Sequence, residues 1–294
     1  MVLRRLSLAL LPIVAIALVA CARLSGAQNP PGEGTVRTAF WNIEWFSEDA
    51  NPTRIANIKS VMNNLKPNIV GFAEVQSRRA LDQIFDGEWE IGLLDAGEAY
   101  QEVGLAVRKP YRLTSWSYIF EGDSLDYAWP RTGRDCFKGL VTAPDGSQLT
   151  VYVVHFKSRG GGRLATDAQR VMSAGLLASY IVAQKDVNYV VMGDMNDAPN
   201  DRSVNVLVSG DLFAPGGPYA KPKLLHNLMN PLWDRDYVTL GLSDKYLGDP
   251  IPAISAGAKA DNDRLRGKEY KYPDDARVLE IMFDQVLVSP AIMA

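Results

Sequence analysis

Several apolar runs in this chain stop abruptly at polar side chains. "IVGFA" (69–73) runs into Glu74, "VYVV" (151–154) into His155 and Lys157, and "YVVM" (189–192) into Asp194 and Asn196 after one glycine. Each run has the length and β-branched content of a buried strand. Around them the pattern changes in kind. "TVRTAFWNIEWF" (35–46) is strand-like, and Asn51 and Pro52 offer an N-cap and a first helical position before Ile55, Ile58, Met62 and Leu65 at helical spacing. "EVGLAVRK" and "RLTSWSYIF" read as neighbouring strands broken at Pro110, and "KGLVTA" and "QLTVYVVHF" flank the turn residues Asp145 and Gly146, a hairpin signal. An amphipathic stretch over 164–185 leads into "NYVVMGD", "EIMFDQVLVS" (280–289) supplies a last strand, and 213–273 reads mostly as loops. Mixing hairpins with β-α-β crossovers predicts two packed mixed sheets with helices outside, an α/β sandwich.

Strand side chains alternate in direction. His155 and Lys157 are therefore expected on one side, as are Asp194 and Asn196, and Asn42 and Glu44. Ligands in α/β folds commonly sit beyond strand ends, so the convergence of several such ends predicts a site at one rim of the sheets.

Composition narrows the chemistry. The 294 residues are 47% hydrophobic, enough for one large core, and show no internal repeat or long charge run. The formal charge is −3, and a leader carrying Arg4 and Arg5 would leave the remainder more acidic. A strong non-specific grip on nucleic acid through counterion release is not expected from that balance, although a local basic surface of Arg131, Arg134, Lys157, Arg159 and Arg163 could serve. Residues 1–27 have a basic start and an apolar stretch from Leu6 to Ala20, the pattern of an export leader. Two exits are open. "LVAC" (18–21) resembles a bacterial lipobox that would lipidate Cys21 and anchor the protein to the cell envelope; "SGA" (25–27) suits ordinary cleavage and secretion or periplasmic release. The lipobox is favoured because Cys21 follows the apolar stretch directly. Residues 28–34 read as a linker and 35–294 as one domain; Cys136 stands alone, so no disulfide framework is implied.

Glu74 and Asp194 are hard oxygen ligands suited to Mg²⁺, Mn²⁺ or Ca²⁺, and Asn42 and Asn196 add amide oxygens. His155 and Lys157 supply protons and positive charge. An anionic substrate attacked in line by water, such as a phosphodiester, matches that combination. The chain has no metal-binding cysteine pair, H-E-x-x-H, G-x-S-x-G or G-x-x-x-x-G-K-[ST] motif, and its two histidines, His155 and His226, exclude a histidine-rich zinc site. His226 reads as structural or surface, and Glu44 as a metal ligand or a salt-bridging rim residue.

"WNIEWF" (41–46), "FAEVQ" (72–76), "VVHFKS" (153–158), "VMGDMNDAP" (191–199) and "FDQVLVSP" (283–290), in this order, resemble the endonuclease/exonuclease/phosphatase family, also called deoxyribonuclease-I-like. The resemblance implies a four-layer α/β sandwich and metal-dependent phosphoester hydrolysis with Mg²⁺, or Mn²⁺ or Ca²⁺. It implies Glu74 as principal metal ligand with Asn42 close to metal and phosphate, Asp194 orienting or deprotonating the attacking water, and Asn196 holding a phosphate oxygen. His155 would stabilise the transferring phosphoryl group or protonate the leaving oxygen. Arg131 or Arg134, in "PRTGRD", would face the phosphate, with Lys157 adding charge nearby. "SRGGGR" (158–163) is expected to be a surface loop, or to present backbone N–H groups with Arg159 or Arg163 to substrate.

The same resemblance implies a Ser-Asp-His element after "FDQVLVSP", whose histidine is the usual general base. The chain ends at Ala294 without it, while Asp284 matches the aspartate that orients that histidine. Truncation before the natural end is the favoured explanation, divergence the alternative, and loss of the strand is expected to expose a sheet edge. The leading functional expectation is an exported, monomeric, metal-dependent phosphodiesterase acting on nucleic acid. A phospholipid (sphingomyelin-like) or phosphomonoester substrate, or a non-catalytic binding protein on the same fold, stand as alternatives, and no protein partner can be inferred.

Overall fold

A computed structural model describes residues 35–95, 101–121, 125–129, 134–160, 162–235, 237–241 and 280–293, with the backbone of two-residue strands at 17–18, 245–246 and 249–250. Cys21 and Arg131 lie outside the described residues, as does most of the 213–273 segment beyond Gly241.

The first sheet contains β1 (Ala17–Leu18), β2 (Thr38–Phe46), β3 (Ile69–Val75), β4 (Trp89–Gly92) and β5 (Glu102–Arg108), in the order β1-β2-β3-β5-β4. The second contains β6 (Arg112–Ile119), β7 (Cys136–Thr142), β8 (Gln148–His155), β9 (Tyr189–Asp194), β10 (His226–Asn227) and β15 (Asp284–Val288), in the order β10-β15-β9-β8-β7-β6, while β11 (Leu240–Gly241) pairs with β14 (Glu280–Ile281) and β12 (Lys245–Tyr246) with β13 (Asp249–Pro250). Each sheet has one parallel pair, β2 with β3 and β8 with β9; the other neighbours are antiparallel. The turn at Lys109 and Pro110 carries the chain from one sheet to the other. The strands flanking it, neighbours along the chain, thus lie in different sheets.

Helices make the two crossovers because the apolar periodicity changes from two to about three and a half there. α1 (Pro52–Leu65) is capped by Asn51, whose side chain accepts the Arg54 N–H at 2.8 Å. α3 (Arg163–Gln184) buries Thr166, Arg170, Ser173, Ala174, Leu177, Ala178 and Ile181, one stripe along its length. The periodicity did not announce α2 (Arg78–Asp82) or α4 (Arg202–Ser209), which are short. Phe40, Val103 and Leu105 of the first sheet face Phe137, Val153, Met192 and Val286 of the second in a central apolar seam. α3 and α4 cover the outside of the second sheet through Leu177, Ile181, Val204 and Leu207, and α1 and α2 cover the first through Ile58, Ala80 and Leu81. The result is the expected four-layer α/β sandwich. β10 pairs with β15 at His226 and Asn227, which gives His226 its structural place and partly covers that sheet edge. Among the described residues no helix is long and apolar enough to cross a membrane.

Candidate active site

Parallel neighbours end on the same side, so the C-terminal ends of β2, β3, β8 and β9 meet at one rim. Asn42, Glu74, His155 and Asp194 are the side chains delivered there. His155 and Asp194 are opposite one another in the β8–β9 register, and β15 brings Asp284 opposite Asp194 from the other side.

Gly193 explains how β8 and β9, neighbours in the second sheet, come close enough. A Cβ at this position would fall on the backbone oxygen of Val154, so a larger residue would push β9 away from β8 just before Asp194. Three polar rim positions leave ordinary strand geometry: Glu44, Glu74 and Asn196 have φ of 46°, 59° and 50°. Such left-handed backbone is costly for residues with a Cβ and persists where surrounding structure enforces it. The distortion at Glu44 breaks the alternation expected after Asn42. Glu44 is exposed, and its role is to donate its backbone N–H to Asn42 Oδ1 at 2.9 Å.

Asn42 is a spacer between two carboxylates. Its Nδ2 donates to Glu74 Oε1 at 2.9 Å and to Asp194 Oδ2 at 3.0 Å. Because its oxygen is occupied by Glu44, the amide presents nitrogen to the carboxylates, and its contribution here is to hold them in place. Asp194 Oδ1 accepts the Asn196 N–H at 2.8 Å, and Asn196 Nδ2 donates to the Phe156 carbonyl at 3.1 Å. The same carbonyl accepts Arg134 Nη1 at 3.2 Å, while Arg134 Nε donates to Gln101 at 2.7 Å. Arg134 and Asn196 are thereby gathered on one backbone oxygen beside the carboxylates.

His155 Nε2 lies 3.7 Å from Glu74 Oε1 and 3.9 Å from Asp194 Oδ2. Burial, and secondarily Arg134, hold its pKa well below the usual 6.5, so the imidazole is neutral. Nδ1 is buried without a hydrogen-bond partner, and Nε2 faces two carboxylates; the proton therefore belongs on Nε2. Burial pushes the carboxyl pKa values of Glu74 and Asp194 up, against the lowering effect of Asn42. Asp284 is pushed up further, by burial and then by the charge of Asp194, although Thr239 bonds to it; its Oδ1 has no partner. Burial lowers the Arg134 pKa while Asp194 and Glu74 raise it, and a guanidinium in that setting remains charged.

Glu74, His155 and Asp194 are the group of potential metal ligands among the described residues, with one donor atom from each within 4.8 Å of the others. Buried carboxylates held together against their mutual repulsion, with an orphaned oxygen on Asp284 next to them, fit a hard divalent cation. Lys157 is half-buried on the loop after β8, outside this hydrogen-bonded cluster.

The arginines of the "SRGGGR" segment meet neither expectation, an exposed surface loop or one that presents them to substrate. Arg159 and Arg163 are buried: Arg159 Nη2 bonds Asp197 Oδ1 at 3.1 Å and Asp201 Oδ2 at 2.7 Å, and Arg163 pairs with Asp201. Arg170 Nε meets Asp197 at 2.9 Å, and Ser203 donates to Asp197 at 2.7 Å. A guanidinium cannot stay buried without such partners, and Asp197 and Asp201 lie close enough in sequence to supply both. The sequence reading missed Thr239, Asp201 and the Phe156 carbonyl. Asp201, following "DAPN" and preceding the short helix, had a capping signal; a backbone oxygen and a threonine distant in sequence had none.

The sequence profile of the endonuclease/exonuclease/phosphatase family matches residues 125–290, more than half of the chain. No curated protein matches the sequence. Among solved structures, D. rerio TDP2 complexed with a single-strand DNA product is 15% identical with a TM-score of 0.55, covering 87% of this chain and 84% of that one. The human Nocturnin catalytic domain with bound sulfate is 16% identical (TM-score 0.51; 87% and 82% covered), and an endonuclease/exonuclease/phosphatase from Bacteroides vulgatus is 14% identical (TM-score 0.50; 87% and 87%). At these identities the likeness establishes the fold. Together with the profile match it makes the chain a member of the endonuclease/exonuclease/phosphatase family.

Proposed function

We propose that this protein is a divalent-cation-dependent phosphodiesterase whose substrate is nucleic acid. The observation that carries the reading is the convergence of Glu74, His155 and Asp194 within 4.8 Å, flanked by Arg134 and Asn196. The structural likeness to TDP2 bound to a DNA product supports nucleic acid as the substrate class.

Glu74, with Asp194 beside it, would hold Mg²⁺ or Mn²⁺, which would supply charge neutralisation and polarisation at the scissile phosphate. Asp194 orients the attacking water, its own orientation fixed by Asn42 on one oxygen and the Asn196 N–H on the other. His155, neutral and protonated on Nε2, donates a hydrogen bond to a phosphate oxygen as charge accumulates there. Arg134 adds positive charge at the same place. Asn196 spends one N–H of its amide on Phe156, which aims the other at a phosphate oxygen.

The test is hydrolysis of plasmid DNA and of a small phosphodiester with Mg²⁺, Mn²⁺ or chelator, alongside Glu74→Gln. Cation-dependent turnover lost in the variant supports the reading. Turnover unchanged in Glu74→Gln, or hydrolysis confined to phosphomonoesters or phospholipid, defeats it.

Export belongs to the same proposal and rests on the leader-like residues 1–27, with Cys21 as the lipid acceptor. Membrane fractionation of the wild type and Cys21→Ala reads it: release of the variant from the membrane fraction is expected, and identical partitioning rejects the anchor.

A further inference from the structure

We infer that Arg159 is a positioning residue for the phosphate-holding corner of the site and acts through the backbone of Asn196; the inference rests on the phosphodiesterase reading above. Arg159 belongs to a glycine-rich segment that looked like a surface loop, yet its side chain is fully buried and spans three pieces of the fold. From the loop after β8, its Nε donates to the Asn196 carbonyl at 2.8 Å, and its Nη2 is held by Asp197 and Asp201. Its guanidinium lies over the ring of Phe283, 4.8 Å from the centroid, and Phe283 immediately precedes Asp284 and accepts the Met195 N–H at 2.9 Å.

Asn196 needs such a clamp. Its φ of 50° is left-handed, a region that asparagine enters more readily than most residues with a side chain but holds in one geometry only where the surroundings over-determine it. Three bonds do so here: the N–H to Asp194 Oδ1, the side-chain amide to the Phe156 carbonyl, and the carbonyl to Arg159 Nε. The first two tie Asn196 to groups at the rim. Arg159 provides the third, and it is the one fixed from beneath, by two buried carboxylates and a ring. A guanidinium can donate to the Asn196 carbonyl and to the carboxylates at once because its donors are set at fixed angles; an ammonium is a point charge and satisfies the carboxylates alone. Without the third bond the turn relaxes, and the Asn196 amide leaves the position from which it reaches a phosphate oxygen. A displacement near 1 Å at a reacting centre costs on the order of a hundredfold in rate.

The experiment is a double-mutant cycle with Arg159→Lys, Asn196→Ala and their combination, read as kcat and KM on a phosphodiester with Mg²⁺. Arg163→Lys is the comparison, because Arg163 shares Asp201 but makes no bond to Asn196. Expected are a fall in kcat of about 10–100-fold in Arg159→Lys with KM within about threefold, and a double variant no slower than Asn196→Ala by more than about threefold. Arg163→Lys should stay within about threefold of wild type. Wild-type kcat in Arg159→Lys, or losses that multiply in the double variant, overturns the inference. If Arg159→Lys does not fold, Phe283→Leu, which removes the ring beneath the guanidinium, enters the same cycle under the same criteria. Amide hydrogen exchange at Asn196 gives a readout independent of turnover: faster exchange in Arg159→Lys but not in Arg163→Lys is expected, and unchanged protection overturns the inference. A wild type without turnover defeats the phosphodiesterase reading instead, and the exchange pattern then decides the role of Arg159 by itself.

Discussion

Asp284 stands directly opposite Asp194 across the antiparallel β9–β15 pair, so two buried carboxylates on neighbouring strands share one end of the sheet. Burial, and then Asp194, raise the Asp284 pKa well above its ordinary 3.8, and burial also raises Asp194 and Glu74. Each folded-state carboxyl therefore takes up its proton at a higher pH than the unfolded chain does. For the cation-free protein these groups make stability rise as pH falls from neutral through the raised pKa values, with the gain complete below the unfolded value of about 3.9.

Thermal unfolding without divalent cation should show that rise, and Asp284→Asn should flatten it while raising the melting temperature at pH 8. Mg²⁺ at a hundredfold excess over its Kd at pH 8 should stabilise the wild type by about 2.7 kcal/mol at that pH, and the same concentration should stabilise it less at pH 5.5. An Asp284→Asn profile parallel to wild type would remove the carboxylate cluster as the origin of the effect.

Asn42→Ala should weaken the cation site without removing a ligand. Its Nδ2 donates to both Glu74 and Asp194, so its loss leaves two like charges to drift apart. Loss of groups that orient ligands typically lowers metal affinity about 10–100-fold. Calorimetric titration with Mn²⁺ reads this directly; unchanged affinity would mean that the carboxylates hold their places without the amide.

Gly193→Ala should damage the site through the backbone. The added methyl meets the Val154 backbone oxygen and side chain, and a carbonyl inside a parallel pair cannot turn away. Overpacking of this kind costs about 1–3 kcal/mol or more, and the displacement falls on His155 and Asp194 together. Chemical denaturation combined with turnover measurements would show both losses. Full activity in Gly193→Ala would mean that the β8–β9 spacing is not what sets the rim.

Asp197→Ala should be among the most destabilising single changes in the molecule. Burial works to raise the Asp197 pKa, but Arg170 and Arg159 outweigh it and hold the carboxyl below its ordinary 3.8. Removing it leaves two buried guanidinium groups short of a counter-charge, a loss of about 3–5 kcal/mol. The sign of its pH dependence is opposite to that of Asp284: the stabilisation is present above the unfolded pKa and is lost as pH falls through the depressed folded value. Urea unfolding at pH 7 and pH 3 should show the Asp197→Ala deficit shrinking in acid, and a constant deficit would contradict the ion-pair account.

The sequence made the rim legible because strand ends carry their own signal. An apolar run that halts at Glu74, His155 or Asp194 states both that the strand is buried and that its end is not apolar. Nothing in "PRTGRD" distinguishes Arg134 from Arg131 as the phosphate-facing residue, and Arg131 falls outside the described residues. What the pattern could not convey was direction once the backbone left the β region. Alternation placed Glu44 with Asn42, but positive φ at Glu44 turned it outward. Arg159 and Arg163 illustrate the converse difficulty: glycines and charges in "SRGGGR" look the same whether the arginines face water or two aspartates some forty residues away. Short α4 has too few turns for its period to stand out, and the pairing of Thr239 with Asp284 depends on a contact between segments without a shared pattern.

The single parallel pair in each sheet has an evolutionary consequence. Asn42 and Glu74 leave one such pair, and His155 and Asp194 leave the other, so the chemistry is fixed by strand register while the chain beyond each end departs along its own path. Among the described residues no tight hairpin couples one departure to the next. Outside the turns that carry Arg159 and Asn196, insertions or deletions in those connections can therefore remake what the rim admits without moving Asn42, Glu74, His155 or Asp194, and selectivity can diversify far faster than the reaction itself.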